Sequence, residues 1–335
     1  MVKSKATIKD VAEMSGVTPA TVSYVINNTA KITLETRRKV MDAIEKLNYT
    51  PNDLAKSLKT NKSNMLGILL PNVSFVFYAN ISAVAEQVFQ NYGYALFLCN
   101  TKYKPSLEQK YITLLIEKNV EGILICDSLI DRSNYAVLQK ANMPFVCIDE
   151  IFRDQINAPT VCVDHYLGVD MMVTHLYKMG AKKIVYVHIP MESNILDIRL
   201  KAYKKSMLNL GLEPNVVLIS MPQVSFMESG YEIAHLLYQN LDQTDAVFAE
   251  TDEIALGINM YFKERNVAVP QDVLLAGYDG SMMSKISSPA LTTIDQNIEK
   301  LAGESAKSLL DLIRSNRSQD LTIIPTLVIR GSTTR

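Results

Sequence analysis

The stretch Thr18-Pro19-Ala20-Thr21-Val22-Ser23-Tyr24 concentrates side chains suited to meeting a nucleic acid, with none suited to breaking one. The short hydroxyls of Thr18, Thr21 and Ser23 can bond phosphate oxygens, contacts that fix register without reading sequence. Tyr24 can exchange one hydrogen bond with a base edge. Pro19 and Ala20 offer only apolar contact, of the kind a thymine methyl accepts. The charge agrees with this chemistry. Residues 1–62 hold 11 Lys and Arg against 6 Asp and Glu, whereas the rest of the chain holds 23 against 29, so a net charge of −1 hides a basic head on an acidic body. Such a head is expected to meet a polyanion. Catalytic signatures are missing: there is no GxxxxGK[ST] phosphate loop and no GxSxG elbow. Cys99, Cys126, Cys147 and Cys162 stand singly in apolar runs and the four His are scattered. The expectation is therefore no enzyme, no cofactor, no metal, and buried free thiols.

The basic head must be built from short helices. Thr7 reads as an N-cap with Asp10 in the first turn, and Gly16 ends the run. A second helix starts at once, with Thr18 as cap, Pro19 at the first position and Val22, Val25 and Ile26 as its apolar stripe; Asn27-Asn28 ends it. A third runs from Thr33 through Val40, Ile44 and Leu47. This is a helix-turn-helix module over residues 1–50, and with Val22, Val25 and Ile26 turned inward, Pro19, Ala20 and Tyr24 lie on the outward face. Residues 51–63 follow as a short segment and linker. Its helical spacing at Leu54, Ala55 and Leu58 is too short to be stable alone.

Beyond Met65 the texture changes. Apolar runs recur at 66–70, 94–99, 123–126, 145–148, 160–163, 184–188, 216–219, 246–249 and 273–276, with a last strand expected over 321–329. Stretches of helical period lie between many of them, for instance 79–91, 106–118, 166–179, 195–210, 229–239 and 254–265. Strands alternating with helices imply parallel sheets from right-handed crossovers. So many strands fit two doubly wound halves facing each other across a cleft, where the carboxyl ends of the strands place ligands. The expected division is 64–160 with 295–325 for one half, 161–294 for the other, and 326–335 as a C-terminal end. Asp252 reads as a helix N-cap, not a ligand contact. No apolar run approaches the ~18 residues that span a bilayer. The charged start MVKSKATIKD lacks the apolar core of a signal peptide. A cytoplasmic protein without membrane contact is expected.

The head and hinge, TIKDVAEMSGVTPATVSYVINNTAKITLETRRKVMDAIEKLNYTPNDLAKSL, resemble those of the LacI/GalR family of bacterial transcription regulators. The match continues through GILLPN, FYANI, VDHYLGVDMMVTHLYKMGAKKI, AVFAETDEIALG, VPQDVLLAGYD and SPALTTIDQ. The resemblance implies an all-α helix-turn-helix head on an α/β sensor of the type I periplasmic-binding-protein kind. It also implies a homodimer on a palindromic double-stranded DNA operator. Base reading falls to Pro19, Ala20 and Tyr24, and the hinge (Ala55, Leu58) would fold only on the operator, with Leu58 wedged into the minor groove. Many relatives have Arg where this chain has Tyr24, which alters the operator expected. Cleft positions of the family map onto Phe77, Tyr78, Asp149, Arg199, Thr251 and Asp279. Because the chain has no Trp, Phe226 is the added stacking candidate. Arg199 matches best, although the glycine usual three residues on is Ala202 here. Thr251 replaces an Asn common in sugar-binding relatives, and Ser193 and Ile195 stand where purine-responsive relatives carry other polar groups. The expectation is a repressor controlled by a sugar or sugar derivative, which closes the cleft and shifts hinge pairing by about 1–3 kcal/mol. No leucine-heptad tail follows the last strand, so a dimer and not a tethered tetramer is expected. The alternatives are a global catabolite-type regulator using a phosphoprotein partner, and a solute-binding protein.

Overall fold

The structure, a computed structural model, describes residues 6–49, 63–126, 132–149, 158–190, 194–219 and 225–334. Ala55, Leu58 and Ser193 lie outside the described residues. The chain separates into two compact units, Met1–Ser63 and Asn64–Arg335.

In the first unit the capping residues act as their types dictate. Helix α1 (Ile8–Ser15) carries a reciprocal capping box. The Thr7 hydroxyl accepts from the Asp10 N–H, while the Asp10 carboxylate accepts from the Thr7 N–H at 2.7 Å. Gly16 closes α1 in the left-handed region. Helix α2 (Pro19–Asn27) is capped by Thr18 and ended by left-handed Asn28; α3 (Leu34–Leu47) is capped by Thr33 and ended by Asn48. Val11, Ala12, Val22, Val25, Val40 and Ala43 form one core among the three. Each helix is too short to persist alone, so this shared burial holds them.

The second unit opens with β1 (Met65–Leu70), α4 (Val76–Asn91), β2 (Ala95–Asn100), α5 (Pro105–Glu117), β3 (Ile123–Cys126), α6 (Arg132–Lys140), β4 (Phe145–Ile148) and β5 (Thr160–Val163). Then come α7 (His165–Lys178), β6 (Ile184–His188), α8 (Asn194–Asn209), β7 (Asn215–Leu218), α9 (Phe226–Gln239), β8 (Ala246–Ala249), α10 (Asp252–Glu264), β9 (Leu274–Asp279), α11 (Met282–Ile286) and β10 (Thr292–Asp295). It ends with α12 (Ile298–Ser315), β11 (Leu321–Ile323) and β12 (Thr326–Val328). Two sheets result, ordered β2-β1-β3-β4-β5-β11 and β7-β6-β8-β9-β10-β12. The first is parallel throughout, and in the second only β12 runs antiparallel. Each half thus repeats one doubly wound order, with its switch point between its first and third strands.

Several boundaries differ from the sequence-based expectation. The run 321–329 is two strands in two different sheets, parted at Ile324-Pro325 where the chain crosses between lobes. Strand β5 pairs with β4 and β11, so the first lobe extends to Val163 and not 160. Strand β10 keeps Thr292–Asp295 in the second sheet, so the return crossing comes at Gln296-Asn297. Residues 326–335 are not a separate end. Strand β12 pairs with β10, and the Leu275 N–H donates to the Ser332 carbonyl. The amphipathic α12, which the sequence reading did not single out, buries Leu301, Ala302, Ala306, Leu309 and Leu310 in the first lobe. Of the free thiols, Cys99, Cys126 and Cys147 are buried and Cys162 only partly so. Among the described residues no helix is long and apolar enough to cross a membrane.

Candidate functional site

In the first unit α2 presents Thr18, Pro19, Ala20 and Tyr24 to solvent, Tyr24 at 47% exposure, with Thr21 and Ser23 half-buried beside them. All three hydroxyls have local work. Thr18 Oγ1 accepts from the Thr21 N–H at 3.2 Å and lies 3.0 Å from Thr21 Oγ1. Ser23 Oγ accepts from Asn27 Nδ2 at 3.3 Å. Arg37 of α3 pins the end of α2 by donating to Asn28 Oδ1 at 2.6 Å. A rigid helix with an exposed N-terminal half can be laid in a major groove.

In the second unit Phe77, Tyr78, Asp149, Arg199, Phe226, Thr251 and Asp279 all line one cleft of about 810 Å³, solvent at its mouth included. They arrive from the carboxyl ends of strands in both lobes. Phe77 and Tyr78 follow β1, Asp149 follows β4, Thr251 follows β8, and Asp279 ends β9. Phe226 is the first residue of α9, and Ser225 caps that helix. Its ring lies 4.2 Å, centroid to centroid, from that of Phe75 in the first lobe, so an aromatic pair spans the cleft.

Arg199 is the centre of the polar floor. It is 4% exposed, donates to the Glu250 carbonyl at 3.0 Å, stands 3.8 Å from Asp279 Oδ1 and lies over the Tyr278 ring. Its Nε–H also faces His165 Nδ1 at 3.4 Å, where the Tyr278 hydroxyl comes to 2.9 Å. With donors converging on Nδ1, the His165 proton belongs on Nε2, which faces Asp149 Oδ1 at 3.4 Å. Burial lowers the His165 pKa against the raising effect of Asp149, so the ring is held neutral. Behind this layer the buried Glu250 accepts from Tyr186 and from the Ile189 N–H, and its carboxylate meets His188 Nδ1 at 3.0 Å. Buried polar groups satisfied in this way hold a floor rigid.

Asp149 and Asp279 share a backbone feature. Their φ angles are +56° and +121°, where L residues are uncommon, and the second lies outside the left-handed helical well. Val163 N–H donates to Asp149 Oδ1 at 2.8 Å, and Gln296 donates to Asp279 Oδ1 at 2.7 Å. Burial raises the Asp279 pKa well above the carboxylate range, with Arg199 opposing the shift and Asp252 and Glu253 adding to it.

Sequence reading missed several lining residues: Phe75, Tyr103, Asp252, Glu253 and Ser281. The strand-end rule, applied to every residue after β1, β8 and β9, would have found all but Tyr103. Asp252 is also not the cap of α10. Thr251 is, through the Ile254 N–H, and Asp252 instead accepts from Ser281 N–H and Thr293 Oγ1 at 2.7 and 2.6 Å. Among the described residues no group of three His, Cys, Asp or Glu could hold a metal ion.

Comparison with known proteins fits both units. Residues 7–52 match the bacterial regulatory proteins of the lacI family, and residues 173–333 match the periplasmic binding protein-like domain. An HTH-type transcriptional repressor PurR of Actinobacillus pleuropneumoniae is 32% identical over 331 residues, 98% of either chain. The chain belongs to the LacI family of bacterial regulators. This LacI-family chain is a DNA-binding transcriptional repressor with a ligand-binding sensor, and its relatives are regulators rather than enzymes. Its fold matches a lac repressor dimer bound to operator, with a TM-score of 0.88 at 24% identity, over 99% of this chain and 100% of that one. A LacI-type protein of Alkaliphilus metalliredigens complexed with D-xylulofuranose matches 81% of this LacI-family chain and 100% of its own, with a TM-score of 0.72 at 28% identity.

Proposed function

We propose that this chain is a homodimeric repressor of a palindromic operator, released or recruited by a carbohydrate held in the cleft between its sensor lobes. Thr18, Thr21 and Ser23 bind phosphates, Pro19, Ala20 and Tyr24 read bases, and Ala55 and Leu58 supply the hinge and its minor-groove wedge. The effector is gripped by Arg199, Asp149, Asp279 and Thr251, and covered by Phe77, Tyr78 and Phe226. One observation carries the reading: these seven residues, far apart in sequence, line a single cleft at the strand ends of both lobes. Carboxylates and a guanidinium in fixed orientation suit hydroxyls, and aromatic faces suit the apolar side of a sugar ring. The D-xylulofuranose complex of the relative at 28% identity supports the same class of ligand.

Pairing of two copies is supported by exposed apolar side chains, Phe97 and Leu98 on edge strand β2 and Met282, Met283 and Ile286 on α11. A purine-type effector is the second reading, raised by the PurR relative. The test is a screen of sugars and nucleosides for thermal stabilisation, in wild type and in Arg199→Ala, because a ligand bound only by the native state raises the melting temperature. A stabilising sugar must also change binding to a palindromic duplex over random duplex. A nucleoside that does so while sugars do not would decide for the second reading.

A further inference from the structure

The charge around the cleft narrows the effector further, on the reading that a small molecule occupies it. Among the described lining residues, Asp149, Asp252, Glu253 and Asp279 are acidic and Arg199 alone is basic. The positive charge of that one guanidinium is already faced by Asp279 at 3.8 Å, so it can still donate a hydrogen bond to an effector but has no unmatched charge to offer an anion. We propose that the effector bears no anionic group, being a hydroxyl-rich compound that is neutral or carries an amine, and that phosphate esters and sugar acids are rejected.

A second observation points to the ligand independently of the acid count. Asp149 is 2% exposed, its Oδ1 is taken by the Val163 N–H, and its Oδ2 has no hydrogen-bond partner although the residue lines the cleft. A buried acceptor left unpaired is costly; the His165 Nε2–H on the protein faces Oδ1 at 3.4 Å, so a ligand O–H or N–H reaching Oδ2 would satisfy it. A phosphate dianion has no donor of its own to give there.

The usual place for a phosphate is also filled. The N-terminus of α10 faces the cleft, and a helix start attracts anions. Here the first turn carries its own Asp252 and Glu253, and the Thr251 hydroxyl takes the Ile254 N–H. The Val76 N–H of the first lobe lowers the proton affinity of Glu253, against the raising effect of burial. The helix end is thereby neutralised from within. Burial raises the proton affinity of Asp252, Glu253 and Asp279 alike, and at Asp279 alone the neighbouring Asp252 and Glu253 add to it.

The test uses the full-length protein and matched pairs: ribose with ribose 5-phosphate, glucose with glucose 6-phosphate and with glucosamine, and adenosine with its 5′-monophosphate. Melting temperature is followed against ligand concentration. In any pair that responds, the phosphate ester is expected to need at least tenfold more ligand than its uncharged or amine-bearing partner. A phosphate ester that stabilises as well as its partner overturns the inference and leaves the carbohydrate reading standing. A response from adenosine alone sinks the carbohydrate reading and supports the charge rule. Silence from every pair counts against both. Asp149→Asn keeps an acceptor for Val163 but puts an amide where Oδ2 was. It is expected to weaken the responding ligand at least tenfold without lowering the ligand-free melting temperature, and unchanged affinity in that variant removes Asp149 from the argument.

Discussion

The guanidinium carbon of Arg199 lies over the Tyr278 ring, 3.9 Å from its centre. Such stacking is available to a planar guanidinium and not to an ammonium. Arg199→Ala is therefore expected to lose effector binding by about 30-fold or more, from the ~2–5 kcal/mol typical of removing a buried, hydrogen-bonded charge. Arg199→Lys is not expected to recover it, because a point charge cannot use the ring and the carbonyl together. Calorimetric titration of the three proteins with the stabilising ligand checks this; a lysine variant that binds like wild type would refute the role given to the ring.

Tyr278→Phe separates two functions of one side chain. The ring under Arg199 stays, while the hydroxyl 2.9 Å from His165 Nδ1 is lost. Effector affinity is expected to fall by less than tenfold, and stability by the ~1–3 kcal/mol of a buried partner left unpaired. Denaturant unfolding beside ligand titration reads the two effects separately.

The head was legible because its signals are local. Thr7, Thr18 and Thr33 are caps whatever surrounds them, and Gly16, Asn28 and Asn48 end helices where their left-handed backbone permits. Continuous apolar strands were equally plain. What escaped was non-local. Thr292–Asp295 is a short, half-polar strand that is one only because β9 and β12 flank it. The split of 321–329 depends on two sheets competing for neighbouring residues. At the cleft, single residues matched to a family were found, but the aromatic pair Phe75–Phe226 and the His165 link between Arg199 and Asp149 exist only once both lobes are folded.

Tyr24 offers the sharpest test of the nucleic-acid face, exposed on α2 with a single hydroxyl to spend. Tyr24→Phe is expected to reduce discrimination at one base pair by about 1 kcal/mol, the net worth of one hydrogen bond. Tyr24→Arg is expected to move preference at that position toward G·C, since Arg pairs bidentately with guanine in the major groove for roughly 1–3 kcal/mol. Competition binding across all single-base variants of a half-site measures both. Loss spread evenly over every variant would mean that Tyr24 touches the backbone instead.

Asp252 ties stability to pH. Burial drives its carboxyl up to about 6 in the folded protein, against the hydrogen bonds from Thr293 and Ser281 that lower it. The unfolded group titrates near the ordinary value of 3.8. Between those values the folded state binds more proton, so this group makes the sensor less stable as pH rises from about 4 to about 6, by of the order of 1–3 kcal/mol. Asp252→Asn is expected to flatten that part of the profile relative to wild type. Melting curves taken across pH 4 to 8 compare the slopes, and identical slopes would place the titration elsewhere.

Helices α9 and α10 approach so closely that their backbones touch through two glycines. A Cβ built on Gly257 would stand 1.9 Å from the Met227 carbonyl oxygen, and one on Gly230 would stand 2.2 Å from that of Ile254. Neither obstacle is a side chain that can swing away. Gly257→Ala is thus expected to cost about 3 kcal/mol or more, at the upper end of overpacking, because the helices must separate. A matched control lies in α12, where a Cβ on Gly303 would have nothing within 4 Å. There the same change is expected to stabilise by ~0.5–1 kcal/mol, through helix propensity alone. The pair also bears on function. Phe226 begins α9, Thr251 caps α10, and both line the cleft, so separating the helices moves an aromatic wall and the acids at the α10 start together. Gly257→Ala protein that still folds is therefore expected to lose its ligand-induced melting shift, whereas Gly303→Ala keeps it. Urea unfolding with and without ligand distinguishes the two, and a Gly257→Ala midpoint equal to wild type would contradict the backbone contact itself.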